Sequence, residues 1–523
     1  MRVIKTLLSV LLLAGLVGCN LVWKSPATPT TNPQRALATL IEATSSAENE
    51  TEAPSLTPMV EETPTGEALA SVEPPEGEET PVPEVPTVPI ATPTLPGVAV
   101  DLPSFDAGME LNVMSTRDLE VALQAGAHWV RVNALNWADI EPTEGARNWA
   151  AANALEQQLR TAAAWGAKTI LVVRTTPAWA QAVPGMRCGA VKVDKLAAFA
   201  QFVYEAVLRY SAPPYQVEYW ELGNEPDVDP ALVPSDNPFG CWGVASDPQY
   251  GGSIYAEMLK QVAPRIRAAN PNVKILVGGL LLDCDPLNPP TGKNCTPSRY
   301  LEGILRNGGG EFFDGVSFHA YDYYAGPDRY GNSNWNSTSD TLGPVVSAKA
   351  RFLHAVLTSY GVPDKFLINT EAGLLCGRTG AEAMCQGADF HRTKAAYVAL
   401  TNAAALAEGL SGSVWYSLKG WRGTALVGPR HEPYPAYEAF RQSAMRLSGA
   451  VFSRQITEYP SVLGYEFTRE GQKMWLLVTL DGQSRVIQLP SVPVSIYDAL
   501  GNALPPLVEL TIGAMPVYVE WAP

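Results

Sequence analysis

The sequence predicts an α/β protein: a (β/α)8 TIM barrel, then a small antiparallel β-domain, both behind a long unstructured N-terminal segment. Three observations predict it. Between about residues 105 and 447, short β-rich runs alternate with stretches whose apolar residues recur at three and four, the sign of βα units around a parallel sheet. After about residue 448 no helical period survives, and short alternating runs are separated by turn pairs. Between residues 25 and 100 the chain is rich in Pro, Thr, Ser and Glu and almost devoid of aromatics, so it cannot bury enough apolar surface to fold. At 523 residues there is room for a barrel and an appendage.

The first element is residues 1–18, where Arg2 and Lys5 precede an apolar run over 7–17. That run is shorter than the roughly 20 residues of a spanning helix. The tetrad Leu16, Val17, Gly18, Cys19 resembles a bacterial lipobox. The resemblance implies a lipoprotein signal peptide over 1–18 and lipidation of Cys19, whose acyl chains would hold the mature chain on the outer side of a membrane, at the bacterial cell surface. An ordinary secretory signal with an incidental cysteine is the alternative. Residues 19–100 are then a disordered tether. Its acids number twelve against the single Arg35 over 25–100, which is −11 of the formal −16, so the remainder is only mildly acidic. Such a charge argues against nucleic acid as a partner.

Residues 101–447 hold the eight units. The strand candidates are 107–112, 129–135, 169–174, 217–223, 274–281, 315–321, 365–370 and 412–417. Between them lie helical stretches such as KLAAFAQFVYEAVLRY and TKAAYVALTNAAALAEG. An open doubly wound sheet is the alternative, but no glycine-rich phosphate loop follows the first strand. Residues 448–523, punctuated by Glu470-Gly471, Asp481-Gly482 and Gly501-Asn502, read as a small sandwich packed against the barrel, with carbohydrate binding as its alternative role.

Six cysteines remain once Cys19 is set aside, and six permit about 15 pairings, so connectivity does not follow from sequence. Proximity suggests Cys284 with Cys295 and Cys376 with Cys385, leaving Cys188 with Cys241. Export is consistent with such pairs, since disulfides persist outside the cytosol. Zinc is the competing reading, yet there is no C-x-x-C and no two of the five histidines sit at ligand spacing. No metal and no organic cofactor is expected.

The chemistry is concentrated in two phrases. In YWELGNEPD an apolar, aromatic run ends in Asn224 and Glu225, and in KFLINTEAG another ends in Glu371. Burying an unpartnered carboxylate is costly, so such a group needs a partner or a task. In a (β/α)8 barrel the C-terminal ends of the strands carry the catalytic residues. Two carboxylates facing each other across a barrel mouth suit glycosidic cleavage, which needs one proton donor and one anionic nucleophile or base.

These motifs resemble those of retaining glycoside hydrolases of clan A, over essentially the whole barrel. Carried over residue by residue, the resemblance implies that Glu225 is the acid/base, Asn224 the ligand of the sugar 2-hydroxyl, and Glu371 the nucleophile. Arg131 in VRVN resembles the basic residue near that nucleophile. His319 and Tyr321 in SFHAYDYY match the strand-six His-x-Tyr, with Tyr321 expected to hydrogen-bond Glu371. Trp415 in SVWYSL looks like the aromatic floor beneath the sugar. For retention the two carboxyls should stand roughly 5 to 5.5 Å apart.

Plainer roles compete with these. Glu221, on the same face as Glu225 and one layer deeper, suits a buried partner for an arginine, and Arg131 or His319 could be structural. Trp137 in WADIEP and Trp179 are candidate stacking platforms for sugar, or loop anchors, as are Trp242, Trp335 and Trp421. His354 and His391 fall in helical patterns. The expectation is a monomeric surface lipoprotein that hydrolyses a β-linked glycoside or polysaccharide with retention. The rivals are a catalytically silent carbohydrate-binding lipoprotein and a transglycosylase using the same residues.

Overall fold

The computed structural model describes residues 104–111, 115–234, 236–341 and 343–523. The expected signal peptide over 1–18, the expected lipidation at Cys19 and the expected tether over 19–100 lie outside the described residues.

Eight parallel strands close into a barrel: β1 (Asp106–Leu111), β2 (Trp129–Asn136), β3 (Lys168–Arg174), β4 (Tyr219–Asn224), β5 (Lys274–Leu280), β6 (Gly315–Gly326), β7 (Phe366–Leu375) and β8 (Gly412–Trp415). Closure comes from β5 pairing with β6 and β8 pairing back to β1. Each strand is followed by its helix: α1 (Thr116–Gln124), α2 (Asn153–Ala164), α3 (Leu196–Tyr210), α4 (Gly252–Ala269), α5 (Tyr300–Arg306), α6 (Val346–Ser359), α7 (Ala388–Ala407) and α8 (Pro435–Leu447).

Local chemistry explains several ends. Ser115 caps α1 by accepting from Asp118 N–H while Asp118 accepts from Ser115 N–H, a reciprocal box that satisfies two donors otherwise left open. The apolar surface of α7 runs almost all the way round, and nearly every residue from Phe390 to Leu406 is buried, because it is wedged between the barrel wall, α8 and the C-terminal sheet.

Side-chain alternation divides the strands. Trp129, Ile170, Tyr219, Leu276, Phe366, Ile368 and Val414 point inward and plug the lower barrel. Their neighbours, such as Val130, Leu171, Leu222 and Leu367, pack outward under the helices. Every inward position above the plug therefore faces the mouth.

All eight expected strands exist, but β6 and β7 run five residues past their expected ends. Residues after Tyr321 pair in a hairpin with a strand over Arg329–Asn332, and Ala372 to Leu375 continue in register with Ala320 to Tyr323. The extension depends on a partner distant in sequence, which local pattern does not reveal.

The C-terminal part contains β9 (Val451–Ile456), β10 (Val462–Arg469), β11 (Gln472–Thr479), β12 (Arg485–Gln488), β13 (Ser495–Asp498), β14 (Ala503–Leu504), β15 (Glu509–Ile512) and β16 (Val517–Glu520). Six of these form an antiparallel sheet in the order β9-β10-β11-β16-β13-β14, and β12 pairs with β15 separately. Glu470 and Gly471 both have positive φ, the two-residue turn that suits the twist of a hairpin between β10 and β11. One face of the large sheet (Trp475, Leu477, Val519) meets Ile487, Leu510 and Ile512 of the small one, giving the expected two-layer core. Its other face (Phe467, Leu476, Tyr518) packs on the barrel, where Arg446 of α8 binds Glu520 and lies over the Tyr518 ring. No helix among the described residues is long and apolar enough to cross a membrane.

Candidate active site

Arg131 enters the barrel from β2, on the same face as Trp129 of the plug, and is 0% exposed. An isolated guanidinium there would cost several kcal/mol. Its donors are shared among four side chains. Nε and Nη2 form a fork on Glu221 at 3.1 and 2.5 Å, and Nη2 also reaches Asn224 Oδ1 at 2.7 Å. Nη1 is divided between Glu110 Oε2 at 2.9 Å and Glu371 Oε1 at 2.7 Å. Burial opposes its charge, but Glu110, Glu221 and Glu371 more than offset that, so its pKa is raised.

Glu371 is held from both sides. Oε1 takes the Arg131 bond, while Oε2 accepts from Tyr321 Oη at 2.5 Å. Register places Glu371 of β7 directly beside His319 of β6. Burial raises its pKa, and Arg131 and Tyr321 oppose the rise.

Glu225 follows the last residue of β4 with φ of 45°, a left-handed conformation that few non-glycine residues adopt and that often marks a functional site. Neighbours hold it there. Its N–H donates to Gly279 O at 2.8 Å, and Asp227 accepts from Leu281 and Leu282 N–H, pinning the loop to the end of β5. A Cβ on Gly240 would lie 1.5 Å from Asn224 O, so only glycine lets the returning loop press against this peptide. Cys241, next in the chain, is bonded to Cys188 of the loop after β3. The other cysteines pair as Cys284–Cys295 and Cys376–Cys385, so all three expected bridges form on loops of the catalytic face.

The Glu225 carboxyl is 1% exposed; Oε1 lies 2.8 Å from His319 Nδ1, and Oε2 has no hydrogen-bond partner among the described residues. Burial first, then the charges of Glu371 and Asp227, hold its pKa well above the ordinary value. Burial, Arg131 and Lys349 push His319 well below its own, so the ring is neutral. Glu225, His319 and Glu371 bring one atom each within 4.8 Å of one another. The same trio has the donor types of a metal cage, but the Arg131 cation on Glu371 makes it a poor one.

The expected aromatic residues separate. Trp137 is wholly buried, with its N–H on Glu141 Oε2 and its ring among Trp179, Phe199 and Phe202, so it offers no face to a sugar. Trp179 is partly exposed and donates to Glu141 O. Trp415 points outward, N–H on Thr424 O and ring against Tyr397 of α7. Strand alternation puts the next residue on the mouth side instead. The ring of Tyr416 lies 6.4 Å from Tyr321 and 6.5 Å from Trp421, so Tyr416 and Trp421 stand beside Tyr321, the hydrogen-bond partner of Glu371, where Trp415 was expected.

Glu110 and Gly279 were not foreseen. An acid inside the apolar run DAGMEL and a Gly-Gly pair inside LVGGLL were the available signals: a strand glycine often marks close approach, and a Cβ on Gly279 would lie 2.3 Å from His319 Nε2. Burial lifts the pKa of Glu110 to about 8, and its Oε1 has no partner among the described residues. A carboxyl whose pKa is raised on folding stabilises fully below its unfolded value of 4.5 and loses that contribution as pH rises through about 8. The Tm of Glu110→Gln, relative to wild type, is therefore expected to rise between pH 5 and pH 9. A constant difference across that range would show that Glu110 keeps an ordinary pKa.

No protein-family model matches the sequence and no curated protein is similar to it. Solved structures do share the fold. A family 39 glycoside hydrolase from the gut symbiont Bacteroides cellulosilyticus superposes with a TM-score of 0.60 at 18% identity, covering 80% of this chain and 81% of that one. A GH30 endoxylanase from Clostridium papyrosolvens gives 0.55 at 12% identity, over 81% of this chain and 97% of that one. A conserved exported protein from Bacteroides fragilis gives 0.59 at 11% identity, over 80% and 98%.

Proposed function

We propose that the chain is a retaining glycoside hydrolase acting on a β-linked glycoside or polysaccharide. The observation that carries the reading is the pair Glu225 and Glu371, whose oxygens approach within 4.8 Å in opposite surroundings. Inverting enzymes need roughly 6.5 to 9.5 Å to admit a water between the carboxyls, and retaining enzymes roughly 5 to 5.5 Å. Glu371, bonded to Arg131 and Tyr321, is the better anion; Glu225, beside that anion and without a cation of its own, is the better acid.

In the first step Glu371 attacks the anomeric carbon as the glycosidic C–O bond breaks, and Glu225 passes its proton to the departing oxygen. With the charge of Glu371 consumed in the ester, Glu225 becomes a base. It takes a proton from water, whose oxygen displaces Glu371 and restores the anomeric configuration. Asn224, oriented by Arg131, would bind the 2-hydroxyl. Tyr416 and Trp421 would wall the sugar, and His319 would orient Glu225 through Oε1. No cofactor takes part.

The wider assignment is 101–447 as catalytic barrel and 448–523 as supporting sandwich, acting as a monomer. The family 39 and family 30 neighbours support a carbohydrate substrate. The exported neighbour and three disulfides support an extracytoplasmic location, and the lipobox-like tetrad ending in Cys19 is what supports a lipid anchor there.

Reducing-sugar release across β-glucans, xylans, mannans, galactans and aryl β-glycosides tests the activity, with proton NMR of the first anomer formed. Retention is the expected result. An inverted product, or binding without release on every substrate, would overturn the reading.

A further inference from the structure

Arg174, the last residue of β3, is unused by this chemistry. It lies four residues beyond Ile170 of the inward plug and so faces the mouth. Its Nε donates to Asn136 Oδ1 at 3.0 Å, and its guanidinium lies 5.4 Å from the Phe239 ring. Nη1 is shut off from solvent, and among the described residues it has no hydrogen-bond partner and no carboxylate forms an ion pair with the guanidinium. Glu110, Arg131, Tyr416 and Arg187 are the charged or titratable groups that act on it. Two of them are cations, and Glu110 is already engaged by Arg131. Burial lowers the pKa of Arg174 only to about 10, so it remains a cation at neutral pH. Arg174 is also partly exposed whereas Glu225 and Glu371 are not, which sets it nearer the entrance of the same mouth.

A half-buried guanidinium, oriented by an amide and a ring but given no anion by the protein, is built to receive one. We propose that Arg174 is a subsite for an anionic group on the sugar substrate, a uronate carboxylate or a sulfate ester. This rests on the glycosidase reading and narrows it to acidic glycans.

The test compares uronate-bearing β-glycans with their carboxyl-reduced forms, and sulfated ones with their desulfated forms, using full-length protein. The wild type is expected to favour the anionic member of one pair by about 10- to 100-fold in kcat/KM, the scale of a hydrogen bond to a charged group. The carboxyl and sulfate arms identify the source. Arg174→Gln should bring the ratio towards one, and Arg174→Lys should keep part of it. The wild-type preference should also shrink as salt rises, a readout independent of whether any variant folds. Equal rates on both members of every pair, or an equal loss on both in Arg174→Gln, would overturn the subsite. Calorimetric titration of the same glycans separates the two proposals. Charge-selective, Arg174-dependent binding without cleavage would sustain the subsite and sink the hydrolase, while no charge preference in either assay sinks the subsite alone.

Discussion

Glu371→Gln is expected to lower kcat on a β-linked substrate by on the order of 10⁴-fold or more, as removal of a covalent nucleophile does in other enzymes. The amide occupies the same space and still has an oxygen for Arg131 or Tyr321, so the loss reports chemistry and not collapse. Without a carboxylate no glycosyl-enzyme can form. Intact mass spectrometry after reaction with a 2-fluoro glycoside should show a sugar adduct on the wild type and none on the variant. Glu225→Ala gives the complementary pattern: large losses on natural linkages, small ones on aryl glycosides whose leaving group needs no proton, and azide restoring turnover. The proton of Glu225 is lost only well above the ordinary carboxyl range, so the alkaline limb of kcat/KM should be displaced upwards and vanish in Glu225→Ala. Activity within tenfold of wild type in Glu371→Gln would sink the assignment.

Arg131→Met should have the largest effect on stability, a loss of about 3 to 5 kcal/mol. Glu110, Glu221 and Glu371 share this one guanidinium, and all three carboxyls are buried. Methionine fills the volume but leaves three buried acids without a cation. For Glu110 and Glu371, whose folded pKa values burial already raises above the unfolded 4.5, the rise is then larger, and stability present at low pH drains away as pH increases. Urea melts should therefore show a deficit that is larger at pH 8 than at pH 5. Adding Glu110→Gln and Glu221→Gln should recover part of it. A deficit under about 1 kcal/mol, equal at both pH values, would mean that Arg131 carries no such burden.

Much of this was legible beforehand for identifiable reasons. The eight strands could be read because barrel strands are covered on both faces and appear as short apolar runs between helical periods. Glu225 and Glu371 stood out because carboxylates rarely end such runs, and Glu221 fell on the Arg131 side because strand parity is a local property. The disulfides followed from nearness in sequence for two pairs and from elimination for the third.

Other features had no local signature. The extensions of β6 and β7 exist because the two strands pair with each other and with a hairpin. Trp415 and Tyr416 are adjacent aromatics, and which one faced the mouth depended on the register of β8 against β7, where a bulge falls between Ser413 and Trp415. Trp137 resembled a sugar platform until Trp179, Phe199 and Phe202 closed around it. Sequence by itself determined the alternation of elements, the identity of the two central carboxyls and the sandwich at the end, because periodicity and turn chemistry act over a few residues. Only the tertiary structure decided which cation each carboxyl shares, which acid is free to hold a proton, and which arginine is left without an anion. Those outcomes depend on burial and on distances between residues up to 240 positions apart, and both are set by closure of the barrel.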